Sequence, residues 1–249
     1  MSEDKDKKNQ YCYRYPHPAV TVDCIIFALH ENDLKVLLIQ RGADPYKNFW
    51  ALPGGFVEID EDLDTAAERE LAEETGLEKV FLEQLYTYGN PKRDPRERII
   101  SVAYYSLVRL KEHRPVAGSD ALNTCWYSVR QLPPLAFDHQ LIMDMAVKRL
   151  QGKVLYAPII FDLLPGKFRL TQLRKVYEII LGRPIDPESF RKKILATGIL
   201  TPLDEFDTTE AGPPARRYRF DKKRYQKMLE DGFTFEIKPD SPKKLPSKA

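Results

Sequence analysis

Cysteine is scarce in this chain. Cys12, Cys24 and Cys125 are scattered through 249 residues, odd in number and without a C-x-x-C pair. That argues against a disulfide framework and reads as free thiols in a reducing cytoplasm. Histidine is equally sparse. His17, His30, His113 and His139 show no ligand spacing and are expected to be structural or exposed. Long apolar runs are missing too: none approaches the roughly 20 residues that span a bilayer, so no membrane partner is expected. The stretch Met1 to Lys8 is polar and lacks the apolar core of a signal peptide. Charge of one sign is not in excess. The net charge is +2, which says little about partners, so the distribution of charge matters more. The length suffices for two modest domains.

What is present is an unusual concentration of acid around one short helical stretch. Gly55, Glu61, Arg69-Glu70-Leu71, Glu73-Glu74 and Gly76-Leu77 fill a G-x5-E-x7-R-E-U-x-E-E-x-G-U pattern, U being aliphatic. Residues three and four apart share a helix face, so Glu70, Glu73 and Glu74 are expected to point the same way. Clustered carboxylates repel one another unless a cation sits among them, and hard divalent ions take oxygen ligands. Arg69 and Glu73 are four apart, so the guanidinium can brace a carboxylate. Gly76 reads as the helix stop. Gly54-Gly55 lets the backbone approach a ligand or metal with no Cβ in the way. An arbitrary acidic helix face is usually just solvated. The glycines, Arg69 and Glu61 at their offsets argue otherwise.

The pattern resembles the signature of the Nudix superfamily at every fixed position. The resemblance implies an α/β/α sandwich around a mixed sheet, and hydrolysis of a diphosphate linked to a nucleoside. It implies that Glu70, Glu73 and Glu74 hold Mg²⁺ or Mn²⁺, with the Gly55 carbonyl often joining them. Arg69 would orient the glutamates, and Glu61 would have a more structural role. The general base is not fixed by the motif. Glu97 reads as a solvent-facing charge.

The rest of the chain fits that plan. Strands are expected at 20–29, 35–41, 80–88, 99–110 and 125–129, the box helix at 64–75 and a helix at 137–150. This places a Nudix domain at 18–151, after a disordered lead at 1–17. Nearly a hundred further residues form a second unit, 155–235, with a disordered tail at 236–249. Its pattern predicts a helical segment at 156–164, a helix at 169–182 that Thr171 can cap, and a helix capped by Asp186. A hairpin and a short helix follow. Helices followed by a β-hairpin give the plan of a winged helix-turn-helix, with one helix in the major groove and the wing on the backbone. Thr171, Gln172, Arg191, Lys192, Lys193, Arg216 and Arg217 are the candidate DNA contacts.

Leu170-Thr-Gln-Leu-Arg-Lys-Val-Tyr-Glu178, Phe190-Arg-Lys-Lys-Ile194 and Pro214-Ala-Arg-Arg-Tyr-Arg-Phe220 behind a Nudix domain resemble the Nudix-related transcriptional regulators, the NrtR-like group. The resemblance spans about residues 18–230. It implies a homodimer that binds palindromic double-stranded operator DNA and uses its Nudix domain to sense ADP-ribose or a sugar. Many such regulators have a degenerate box, whereas this chain keeps all three glutamates. Pro91, fifteen residues after Gly76, matches a marker of ADP-ribose pyrophosphatases. Arg41, Arg93, Arg96 and Arg98 are candidate phosphate ligands, and Trp50 a stacking partner, with Phe56, Tyr86 and Tyr88 behind it. Tyr104 reads as core. Three readings follow: a regulator that also hydrolyses ADP-ribose-like ligands, a sensor without turnover, or a plain hydrolase whose second unit makes a dimer.

Overall fold

The computed structural model describes residues 14–30, 32–110, 121–207, 214–238 and 240. Most of the expected lead, together with Cys12 and His113, lies outside the described residues. Seven strands form one sheet: β1 (Ala19–His30), β2 (Asp33–Arg41), β3 (Trp50–Ala51), β4 (Gly54–Phe56), β5 (Glu83–Tyr88), β6 (Ile99–Arg109) and β7 (Ala121–Ser128). β1 runs antiparallel to β2 and β4 and parallel to β6, so the sheet is mixed.

Successive side chains of a strand face opposite sides of a sheet. On β1, Cys24 and Ile26 meet Ala67 and Leu71 of α1 (Leu63–Thr75), while Ile25 and Phe27 join the cluster of Ile142 and Ala146 of α2 (His139–Tyr156). Both faces are covered, which is why β1 reads as an unbroken apolar run rather than an alternating one. This is the α/β/α sandwich expected from the box.

The second unit comprises β8 (Phe168–Arg169), α3 (Leu170–Leu181), α4 (Pro187–Ala196), β9 (Leu200–Asp207), β10 (Ala215–Phe220) and α5 (Lys222–Glu230). The strands form a sheet in the order β8-β10-β9. Its core is continuous with that on the α2 side of the first sheet, Ile160, Phe161, Leu173 and Phe190 belonging to one cluster with Leu150 and Val154.

Four expectations change. The segment at 156–164 holds only a 3₁₀ stretch, Ile159–Leu163. Pro158 before it and Pro165 after it each remove a backbone donor and halt longer helix. The strand expected from Val80 begins at Glu83, Val80 being buried under α1 instead. Thr171 does not cap α3. The cap is Arg169, two residues earlier, where β8 pairs with β10 and Gln172 Oε1 accepts the Arg169 backbone N–H at 2.9 Å. Finally, the tail is ordered in its described part. Ile237 is buried, as is Phe235 just before the tail, the Ile237 N–H donates to Leu155 O at 2.8 Å, and the Asp186 N–H donates to Asp240 O at 2.9 Å. Two apolar anchors, two residues apart, outweigh a composition rich in lysine and proline. Residues 241–249 lie outside the described residues. Among the described residues, no helix is long and apolar enough to cross a membrane.

The buried anchor makes a stability prediction. Ile237→Ala is expected to lower the unfolding free energy by about 2–4 kcal/mol, measured by urea denaturation. Glu236→Ala, on the exposed side, should stay within about 0.5 kcal/mol of the parent. Equal effects would show that the strap does not pack.

Candidate functional site

The box helix is built as its sequence dictates. Asp62 accepts the Thr65 N–H at 2.8 Å at the N-terminus, and Gly76 closes the helix at φ 70°. Arg69 is the hub. It donates to Glu61 Oε2 at 3.0 Å and Oε1 at 2.5 Å, to Glu70 Oε1 at 2.8 Å, to Glu73 Oε2 at 3.2 Å and to Phe56 O at 3.0 Å. These bonds hold Arg69 charged and keep the Glu61 carboxyl below the usual carboxylate range. Glu61 also accepts the Glu58 N–H, consistent with a structural role.

Two glycines let the helix carboxylates come in. A Cβ at Gly54 would collide with the Val22 backbone, and one at Gly55 with the Glu70 carboxylate. The Gly54 N–H donates to Glu74 Oε2 at 2.7 Å. Glu70 and Glu74 both line a cavity of about 750 Å³, with Gly54, Gly55, Arg69, Asp23, Arg41, Arg93, Arg96, Phe56, Phe137 and His139. Burial pushes the Glu74 carboxyl up to about 8, and Glu70 and Asp23 nearby push the same way. Glu70 is raised as well, chiefly by burial. A buried, mutually repelling oxygen pair beside a bare backbone suits a hard divalent cation.

Glu73 departs from the expected trio. It is tied to Arg69, its side chain is 58% exposed, and it does not line the cavity. The cause is helical geometry: 70 and 74 lie about 40° apart around the axis, whereas 73 is rotated about 60° to the other side. Among the described residues, no group of three acidic, histidine or cysteine side chains is close enough to hold a metal together. What adjoins the cavity is the pair Glu70 and Glu74 with the Gly55 backbone, while Glu73 lies outside it.

The arginines divide. Arg41 and Arg96 lie over the Phe137 ring at 4.8 and 5.5 Å, and Arg96 is clamped by Asp94 at 2.8 Å. Arg93 is buried and bonded to Asp138 and Asp23. Arg98 and Glu97 do not line the cavity. Neither does Trp50, which packs edge-on against Tyr127 at 4.8 Å. Tyr104 is core, its hydroxyl donating to Asp64 at 2.6 Å. Asp23 and Phe137 also line the cavity with no motif to mark them, and so does His139, expected to be structural or exposed. His139 is buried on the cavity floor, Nδ1 accepting the Leu52 N–H at 2.9 Å and Nε2 lying 3.4 Å from Asp23. Burial lowers its pKa.

On the second unit, Arg191 and Lys192 are exposed on α4, and Arg216 is exposed on β10. Thr171 is exposed in the first turn of α3, whereas Gln172 is engaged with Arg169. Two candidate contacts are bonded to other residues of the chain, though partly exposed. Lys193 donates to Lys238 O at 2.6 Å and to Asp240 at 2.9 Å, and Arg217 pairs with Asp207 at 3.1 Å. The wing tip, 208–213, lies outside the described residues.

The raised Glu74 makes a pH prediction. The folded chain holds a proton on Glu74 that the unfolded chain releases near 4.5, so stability falls as pH rises from about 4.5 towards about 8. In metal-free buffer, Glu74→Gln should flatten that decline, read from urea midpoints at pH 5 and 8. Parallel curves for parent and variant would contradict the buried proton.

Residues 17–146 match the family model of the NUDIX domain, and residues 160–220 match that of the NrtR DNA-binding winged helix domain. The chain is 38% identical over 211 residues to the ADPR responsive transcriptional repressor NtrR of Acinetobacter baylyi, covering 83% of each chain. It is 44% identical over 138 residues to an ADP-ribose pyrophosphatase of Methanocaldococcus jannaschii, 55% of this chain and 78% of that one. Among solved structures it resembles Shewanella oneidensis NrtR complexed with a 27mer DNA (TM-score 0.67, 36% identity, 81% of this chain and 93% of that one). It also resembles that protein's NUDIX domain complexed with ADP ribose (TM-score 0.51, 34% identity, 55% of this chain and 90% of that one). With a Nudix sandwich leading into a winged helix of this type along most of its length, the chain belongs to the NrtR family of Nudix-related transcriptional regulators.

Proposed function

We propose that this chain is an ADP-ribose-responsive repressor that binds operator DNA as a homodimer. Its Nudix domain takes ADP-ribose, or a similar nucleoside diphosphate sugar, together with Mg²⁺ or Mn²⁺, and hydrolyses it. The observation that carries this reading is the cavity itself, in which Glu70 and Glu74 face Arg41, Arg93 and Arg96. Glu70, Glu74 and the Gly55 carbonyl would hold the cation, which when bound neutralises diphosphate charge and activates a water for attack on phosphorus. Arg69 keeps Glu70 in place from behind, and Glu61 keeps Arg69. Arg41, Arg93 and Arg96 receive phosphate oxygens, to which planar guanidinium donors are suited. Phe137, under two arginines, takes the stacking role that Trp50 cannot reach. The likeness to a named ADP-ribose pyrophosphatase supports turnover. The position of Glu73 outside the cavity favours the alternative, a sensor that binds without turnover.

DNA contacts fall to Arg191, Lys192 and Arg216, with Thr171 at the start of α3. Lys193 and Arg217 are reserved for internal bonds and serve as supports.

Two measurements test the proposal. Wild-type protein should release AMP from ADP-ribose only with Mg²⁺ or Mn²⁺, and Glu70→Gln should lose on the order of a hundredfold in rate while keeping DNA affinity. A wild type that binds ADP-ribose and releases no AMP is a sensor alone. Arg191→Ala with Lys192→Ala should weaken DNA binding and reduce its log–log salt slope by about 1 per lost phosphate contact. An unchanged slope would remove α4 from the DNA interface.

A further inference from the structure

The segment Phe137-Asp138-His139 lies outside the Nudix box, yet Phe137 and His139 line the cavity and Asp138 is bonded to the cavity-lining Arg93. Phe137 sits at φ 52°, a left-handed conformation that a bulky residue adopts only at a cost. Asp138 occupies the N-cap position of α2. An aspartate there ordinarily accepts a backbone N–H of the first turn, but Asp138 makes no such bond. Its two oxygens instead accept Nε and Nη2 of Arg93 at 3.1 and 2.8 Å. Asp23 accepts Nη2 as well at 3.4 Å, and is itself bonded by Ser101. Arg93 is 8% exposed and lines the cavity, and its Nη1 has no partner among the described residues. Two carboxylates thus fix three of the guanidinium's N–H directions inside the protein and leave the fourth and fifth, on Nη1, for whatever enters.

We propose that Asp138 is a positioning residue for ligand binding: it forgoes capping α2 in order to hold Arg93 with Nη1 presented to an anionic oxygen of the bound diphosphate. This rests on the ADP-ribose reading above and deepens it. An arginine already ordered before the ligand arrives loses little freedom on binding, which is the advantage of preorganisation. The same bond registers occupancy at the first turn of α2. That helix reaches the winged helix at its other end, where Gln151 Nε2 donates to Ile180 O at 3.2 Å and Leu155 O accepts the Ile237 N–H at 2.8 Å.

The test is calorimetric binding of ADP-ribose to the full chain in EDTA, where no metal-dependent turnover intervenes. Asp138→Asn, which keeps shape and removes charge, should weaken ADP-ribose binding about tenfold or more, the scale of one charge-assisted bond. Asp138→Glu, which restores the bidentate carboxylate, should recover most of that loss. A structural role alone would not be rescued by the longer side chain. Hydrogen exchange on the wild type gives a second readout that needs no variant: ADP-ribose should slow exchange of the backbone amides in the first turn of α2. Wild-type binding with Asp138→Asn binding equally well, or unchanged exchange in that turn, overturns this inference and leaves the ADP-ribose reading standing. A wild type that binds ADP-ribose neither in EDTA nor with Mn²⁺ overturns both.

Discussion

The absence of side chains at Gly54 and Gly55 is the constraint on which the site depends. β4 crosses β1 so closely that a methyl group at either glycine would meet backbone or the Glu70 carboxylate. Because nothing intervenes, Glu74 reaches the Gly54 N–H and Glu70 lies flat against Gly55. Both carboxylates then line a strongly charged cavity, largely buried. Burial raises both, which is a cost to the folded chain and a gain only when a cation or a proton is present. Arg69, fixed by Glu61, prevents the acidic helix from relaxing outward.

Charge is handled in the same way throughout the cavity. Three arginines that line it are satisfied by acids of the chain: Arg96 by Asp94, Arg93 by Asp138 and Asp23, Arg69 by Glu61 and Glu70, while Arg41 donates to Pro45 O. Guanidinium groups held this way are oriented rather than free. The winged helix shows a parallel arrangement, with Lys193 and Arg217 bound to Asp240 and Asp207, leaving Arg191 and Lys192 outward on α4. At the cavity, by contrast, Arg93 and Arg96 are both acid-bound and cavity-lining.

The box helix was legible because its information is local: the period of a helix, an aspartate before it and a glycine after it. The sandwich was legible because β1 and β2 are apolar on both faces. What the sequence could not display is contact between residues far apart along the chain. Asp138 and Arg93 are 45 residues apart, and Asp23 and Arg93 are 70 apart, so the cavity floor had no motif. His139 looked like a solitary histidine for the same reason. Trp50 has the chemistry of a stacking residue, but it packs against Tyr127, and Phe137, in the loop before α2, lines the cavity instead. Glu73 carried the motif's acidity but falls on the wrong side of the helix to line the cavity. Lys193 looked available until the distant Asp240 came to lie over α4.

Glu70 and Glu74 are proposed to grip a divalent cation over a bound diphosphate. Electron paramagnetic resonance of Mn²⁺ titrated into the full chain with ADP-ribose tests this directly. Free Mn²⁺ signal should be lost to a protein-bound ion when ADP-ribose is present, and Glu70→Gln with Glu74→Gln should abolish the bound fraction. A bound fraction that is absent with ADP-ribose, or undiminished in the double variant, would contradict it.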